Sequence, residues 1–202
     1  MTFNRYQIVG SLLSVGLSLG VFMSASPSWA VTPMSRPQVA LTQDVGSLKT
    51  LQAEVIVNAP IDAVWQDLSD YGNMKNIMPG YDRSTVVQSA GATKTVDLGL
   101  KGSGLIPPFR YQVKIREDKA AYRLQIQRIA GDFKAINASY QLMPVDAGTR
   151  TRVVYHLSID LGGLPLLGAG SMLKNNTTKA MLALQTHCSE SYKRSMTAQA
   201  TR

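Results

Sequence analysis

Hydrophobic and polar positions alternate over residues 51–58. Leu51, Ala53, Val55 and Val57 share one parity, and Gln52, Glu54, Ile56 and Asn58 the other. A period of two predicts a strand. Pro60 stops it and suits the first turn of a helix, where a missing N–H costs nothing. Ile61, Val64, Trp65 and Leu68 then follow at i, i+3, i+4 and i+7, a single apolar helical stripe. Asp62 complements the dipole at its start. The triplet DYG at 70–72 breaks this helix, and residues 73–78 predict a second short one before Pro79 and Gly80.

From Tyr81 the period returns to two, with strands predicted over 81–89, 93–101, 109–117, 121–130, 133–143 and 149–160. The clearest puts Phe109, Tyr111, Val113 and Ile115 on one face and Arg110, Gln112, Lys114 and Arg116 on the other. The last puts Val153, Tyr155, Leu157 and Ile159 opposite Arg150, Arg152 and His156. One-sided alternation of this kind describes an antiparallel sheet with one buried face. Residues 171–196 contain neither Gly nor Pro, and Leu173, Thr177, Met181, Leu184, Cys188 and Tyr192 form a continuous stripe along them. A sheet and one long amphipathic helix must bury their apolar faces together. The fold class is therefore α+β: a curved antiparallel sheet of about seven strands around a long carboxy-terminal helix, with two short helices after the first strand.

Composition narrows the chemistry. Of 202 residues 45% are hydrophobic and 17% charged, which excludes a disordered chain. A single Cys excludes an internal disulfide framework, and two His with one Cys argue against a metal centre. No cofactor motif is present; the run GLKGSG at 99–104 lacks the ending of a phosphate loop.

The amino terminus reads as an address. Arg5 precedes 18 uncharged residues from Ile8 to Ala25, followed by Pro27 and the small-x-small site SWA at 28–30. This is the order of a secretory signal cut after Ala30, the competing reading being a retained anchor. Residues 1–30 are thus expected to be a signal peptide, 31–48 a flexible leader with Pro33 and Pro37, 49–197 the folded domain and 198–202 a tail. The expected location is the periplasm or an equivalent lumen.

The segment VIVNAPIDAVW at 55–65, the pair Asp70 and Tyr71, MPG at 78–80, GDFK at 131–134 and GTRTRV at 148–153 together resemble the START-like superfamily, whose members share the helix-grip fold. The later motifs resemble its polyketide cyclase/dehydrase and coenzyme-Q-binding branch. The resemblance covers residues 50–197 and implies a cavity between sheet and terminal helix. Ligand-lining positions would be Phe109, Tyr111, Val113, Asn137, Tyr155, Leu157, Met172, Met181 and Leu184. Two apolar loops, GSGLIPPF at 102–109 and LGGLPLL at 161–167, would gate entry through Leu105, Ile106, Pro107, Leu164 and Leu166.

The residues offer little catalysis. Asp62, Asp67 and Asp70 read as solvated caps, His156 as a solvent-facing strand residue, and Cys188 as a small buried hydrophobe beside His187. The leading expectation is an exported, non-catalytic binder or carrier of one hydrophobic small molecule: a lipid, quinone, isoprenoid or polyketide-like compound. A cyclase or dehydratase using the same cavity is the alternative, and a structural protein with a solid core the third. Outward cations at Arg110, Lys114, Arg116, Arg123, Arg150 and Arg152 allow peripheral contact with an anionic membrane. Nucleic acid is not expected, since no recognition motif appears.

Overall fold

The computed structural model describes residues 36–102, 107–163 and 168–200. The expected signal peptide and residues 31–35 of the expected leader lie outside them. Strand β1 (Gln38–Val45) pairs with β2 (Leu48–Val57), which leads into helix α1 (Ile61–Leu68), a 3-10 turn (Tyr71–Asn73) and helix α2 (Met74–Ile77). Six strands follow: β3 (Tyr81–Ala90), β4 (Thr93–Leu100), β5 (Phe109–Asp118), β6 (Arg123–Gly131), β7 (Ala135–Val145) and β8 (Arg150–Asp160). Helix α3 (Ala169–Ala200) closes the chain.

All eight strands belong to one antiparallel sheet in the order β1-β2-β8-β7-β6-β5-β4-β3. The sheet has eight strands where about seven were expected. Residues 38–45, read from sequence as leader, form the additional edge strand. Its inward contribution is only Val39 and Leu41 before a bulge between Leu41 and Gln43 breaks the register. That alternation is too short to stand out beside Pro33 and Pro37, and pairing with β2 supplies the order.

The inner face follows the predicted parity. Leu51, Ala53, Val55 and Val57 on β2, Val113 and Ile115 on β5, and Val153, Leu157 and Ile159 on β8 are all buried. Helix α3 presents Thr177, Met181, Leu184 and Cys188 to them, four positions of the predicted stripe. At the far end, α1 buries Val64, Trp65 and Leu68. Trp65 meets Tyr122 edge to face at 5.8 Å. Lys119 lies 4.1 Å above the Tyr122 ring, and Asp62 accepts hydrogen bonds from Tyr122 Oη at 2.8 Å and from Lys119 Nζ. That cluster ties α1 to the β5–β6 hairpin.

Two glycines mark close approaches. Gly131 has φ +109, and a Cβ there would lie 2.3 Å from the Arg110 carbonyl oxygen and from Tyr111 Cα. It lets the β6 end lie directly against β5 beside a bulge between Gln112 and Val113. Gly170, in the first turn of α3, faces Asp44 of β1, whose carboxylate pairs with buried Lys49 at 2.7 Å.

Candidate functional site

Between α3, the connection from the 3-10 turn to β3, and the inner faces of β4 to β8 lies a cavity of about 460 Å³. Val96, Leu98 and Leu100 of β4, Phe109, Tyr111, Val113 and Ile115 of β5, Ile136, Ala138 and Tyr140 of β7, and Tyr155, Leu157 and Ile159 of β8 form its sheet wall. Met172, Leu173, Ala180 and Met181 form its helical wall. Tyr71, Met74, Met78 and Tyr81 complete the enclosure. Lys101, Asn176 and Lys179 are exposed lining residues and belong to the rim.

The cavity lining is mostly apolar and includes four buried phenols, those of Tyr81, Tyr111, Tyr140 and Tyr155. Tyr81 and Tyr111 hydroxyls lie 3.1 Å apart. Tyr140 and Tyr155, direct partners across β7 and β8, stack at 4.5 Å with ring planes 29° apart. Burial pushes all four phenols above the ordinary tyrosine range; for Tyr111, Tyr140 and Tyr155 the neighbouring hydroxyls add to the shift. They are neutral donors and acceptors at any physiological pH. Phe133 packs against Phe109 at 4.9 Å and Tyr111 at 5.3 Å, fixing the β5 wall. Tyr71 directs its hydroxyl to Glu117 Oε1 at 2.9 Å, so that phenol has a protein partner.

The predicted lining residues divide. Phe109, Tyr111, Val113, Tyr155, Leu157, Met172 and Met181 meet around the cavity. Leu184 is fully buried but is not part of the wall. Asn137 faces the other way: it pairs with Gln127 and Ser158 on the outer face and is exposed. The reason is parity, because Ile136 and Ala138 on either side of it point inward. The same parity carries Tyr140 inside, a residue sequence reading missed although it lies two positions from Ala138. Tyr81 was also missed; it stands at the first position of β3, where no alternation precedes it. Of the predicted gate, Leu105, Ile106, Leu164 and Leu166 lie outside the described residues, and Pro107 is exposed.

Among the described lining residues none is Asp, Glu, His or Cys. Cys188 is fully buried, and burial followed by the Asp67 carboxylate raises its thiol far above the usual range. His187 Nε2 stands 4.0 Å from the same Asp67, so both side chains tie α3 to α1. Among the described residues no group of three or more His, Cys, Asp or Glu is placed to hold a metal. On the outer face, Arg110 pairs with Asp82 at 2.9 Å, Arg150 with Asp146, and Arg152 with Glu54 at 3.1 Å. Much of the outward cationic charge is thereby neutralised locally.

Residues 57–184 match the family described as polyketide cyclase / dehydrase and lipid transport. The chain belongs to this family. Among solved structures, the Zhui aromatase/cyclase from Streptomyces sp. R1128 is similar with a TM-score of 0.59 and 15% identity, over 70% of this chain and 93% of that one. A STAR-related lipid transfer protein from Xanthomonas axonopodis gives 0.56 and 17%, over 74% and 98%. A protein from Thermus thermophilus gives 0.61 and 20%, over 69% and 96%. These likenesses establish the START-like helix-grip fold. No curated protein matches the chain.

Proposed function

We propose that this chain is an exported, non-catalytic carrier of one hydrophobic small molecule, held between sheet and α3. The observation that carries the reading is an apolar cavity of about 460 Å³ with neutral phenols in its wall. That volume lies within the range of about 300–1,000 Å³ for small-molecule pockets. The driving force is desolvation, roughly 25 cal/mol for each Å² of apolar surface removed from water. A family whose description includes lipid transport, and the similarity to a STAR-related lipid transfer protein, are consistent with this role.

Acid–base catalysis fits the cavity less well. A general acid or base works best with a pKa near the operating pH. The phenols here are displaced away from neutrality, and the described lining holds no carboxylate or imidazole. A cyclase or dehydratase remains the second reading, supported by the similarity to the Zhui aromatase/cyclase and by the coupled Tyr81–Tyr111 pair.

The proposal of export rests on the signal-like pattern of residues 1–30, with cleavage after Ala30 and a mature terminus at Val31, the competing reading being a retained anchor. The test has two arms. Native mass spectrometry of protein isolated from its own cells should show about one apolar compound per chain, with a terminus at Val31. Turnover of a polyketide substrate abolished by Tyr111→Phe would replace the carrier by the enzyme. Protein isolated without any compound, and unable to take up Nile red, would end both readings.

A further inference from the structure

The outer face of the sheet holds a depression of about 570 Å³, on the side away from the cavity. Two adjacent rungs of the ladder build it. One runs Lys114, Gln127, Asn137, Ser158 and Thr50 across β5, β6, β7, β8 and β2. The next runs Arg116, Gln125, Ser139 and His156 across β5 to β8. Both cations therefore stand on β5, at one end of two rows of amides and hydroxyls. The first row crosses four strand spacings, about 19 Å.

The rung beyond Arg116 is different. It runs Asp118, Arg123, Gln141, Val154 and Glu54, and its polar side chains are already taken. Asp118 accepts from the Ala121 N–H at 3.0 Å, Arg123 donates to Gln141 Oε1 at 2.8 Å, and Glu54 pairs with Arg152 at 3.1 Å. The depression, by contrast, has no acidic residue in its lining. Among the described residues the side chains of Lys114 and Arg116 have no ion-pair or hydrogen-bond partner, and neither have those of Gln125, Gln127, Asn137 and Ser139. Arg83, Arg110, Arg150 and Arg152 each have an acid of their own.

Cations without a protein acid suit an anionic ligand, and rows of amides offer donors and acceptors together, which hydroxyl groups match. The two rungs carry no Trp, Tyr or Phe on which a nucleobase could stack, and no large apolar side chain to enter a bilayer. The spacing between strands is close to the length of one ring in an extended sugar chain. We propose that this face binds an extended acidic saccharide. Its anionic groups pair with Lys114 and Arg116, and its hydroxyls lie along Gln125, Gln127, Asn137 and Ser139, successive rings meeting successive strands. This ligand is separate from the guest of the cavity, with the sheet between them.

Calorimetric titration of the purified full chain with hexagalacturonate, cellohexaose and hexaglutamate separates charge from hydroxyl recognition. Hexagalacturonate should bind about tenfold or more tighter than the other two, since cellohexaose lacks the anions and hexaglutamate the hydroxyls. The double variant Lys114→Gln/Arg116→Gln should weaken it about tenfold or more, and Gln127→Ala/Asn137→Ala about fivefold. All four side chains are exposed, so both variants should melt with the parent chain. Hexaglutamate binding as tightly as hexagalacturonate would overturn the hydroxyl recognition, and cellohexaose doing so would overturn the role of the cations. Phosphatidylglycerol vesicles binding more tightly, and losing that affinity in Lys114→Gln/Arg116→Gln, would assign the face to a membrane instead. Neither saccharide binding would end the proposal and leave the carrier reading standing.

Discussion

The side-chain amide of Gln185 on α3 donates to the Ile56 carbonyl of β2 at 2.6 Å. One turn later, Ser189 Oγ accepts from the Asn58 backbone N–H at 3.2 Å. Strand β1 pairs with β2 only as far as Glu54. The terminal helix thus serves the part of the β2 edge that β1 leaves uncovered, in addition to burying the apolar stripe of Thr177, Met181, Leu184 and Cys188. Open strand edges otherwise invite pairing with other chains.

Replacing Gln185, which is 1% exposed, by Met keeps its bulk and removes the donor. The Ile56 carbonyl is then left without this partner. The expected loss is about 1–3 kcal/mol in urea unfolding with an unchanged slope. A loss under about 0.5 kcal/mol would mean that this hydrogen bond adds little to the hold on the helix.

Gly131→Ala is expected to be more damaging and to reach the cavity. The new Cβ would meet backbone atoms of Arg110 and Tyr111 at 2.3 Å, and the residue would have to keep φ +109. Relief requires moving β5, which carries Phe109, Tyr111 and Val113 of the wall. A loss of about 2–4 kcal/mol is expected, with weakened uptake of Nile red. Gly91→Ala, also at positive φ but with nothing within 4 Å, provides the control and should cost about 1 kcal/mol without touching binding.

Most of the architecture was legible because it rests on periodicity. The strands from Tyr81 onward, the α1 stripe and the α3 stripe each carry enough repeats for burial to dictate one face. Strand β1 was not legible, since Val39 and Leu41 alone do not make a pattern. The inward direction of a side chain was legible wherever it sat inside a long alternation, as for Tyr111 and Tyr155. Asn137 was misplaced because its amide was weighed for its chemistry and not against the parity of Ile136 and Ala138. Tyr81 depends on a pairing 30 residues away with Tyr111, information that no local pattern contains.

Acid should weaken the end of β8 through Asp160. Hydrogen bonds from Ser47, the Gly162 N–H and Lys134 hold its carboxyl down to about 2. A carboxylate with a depressed folded-state pKa stabilises above its unfolded value and loses that contribution as pH falls through the folded value. The window therefore runs from about pH 4 down to about pH 2. Melting temperature should fall across it in the native chain, and Asp160→Asn should flatten that fall. An identical profile in the two proteins would assign the acid sensitivity to other carboxylates, such as Asp62 beneath Lys119 and Tyr122.

Two adjacent residues of β7 offer the sharpest test of where a guest sits. Ala138 lies in the cavity wall, and Asn137 lies on the opposite face between Gln127 and Ser158. Ala138→Leu places three additional carbon atoms into open space, so it should tighten the apolar wall with little cost in stability while occupying room a ligand needs. Nile red affinity should fall about tenfold or more, the effect of losing roughly 1.4 kcal/mol of apolar contact. Asn137→Leu adds apolar surface outside and should leave affinity unchanged. If the outer substitution weakened binding and the inner one did not, the ligand would rest in the outer-face depression among Lys114, Arg116 and His156, and the interior cavity would not be its site.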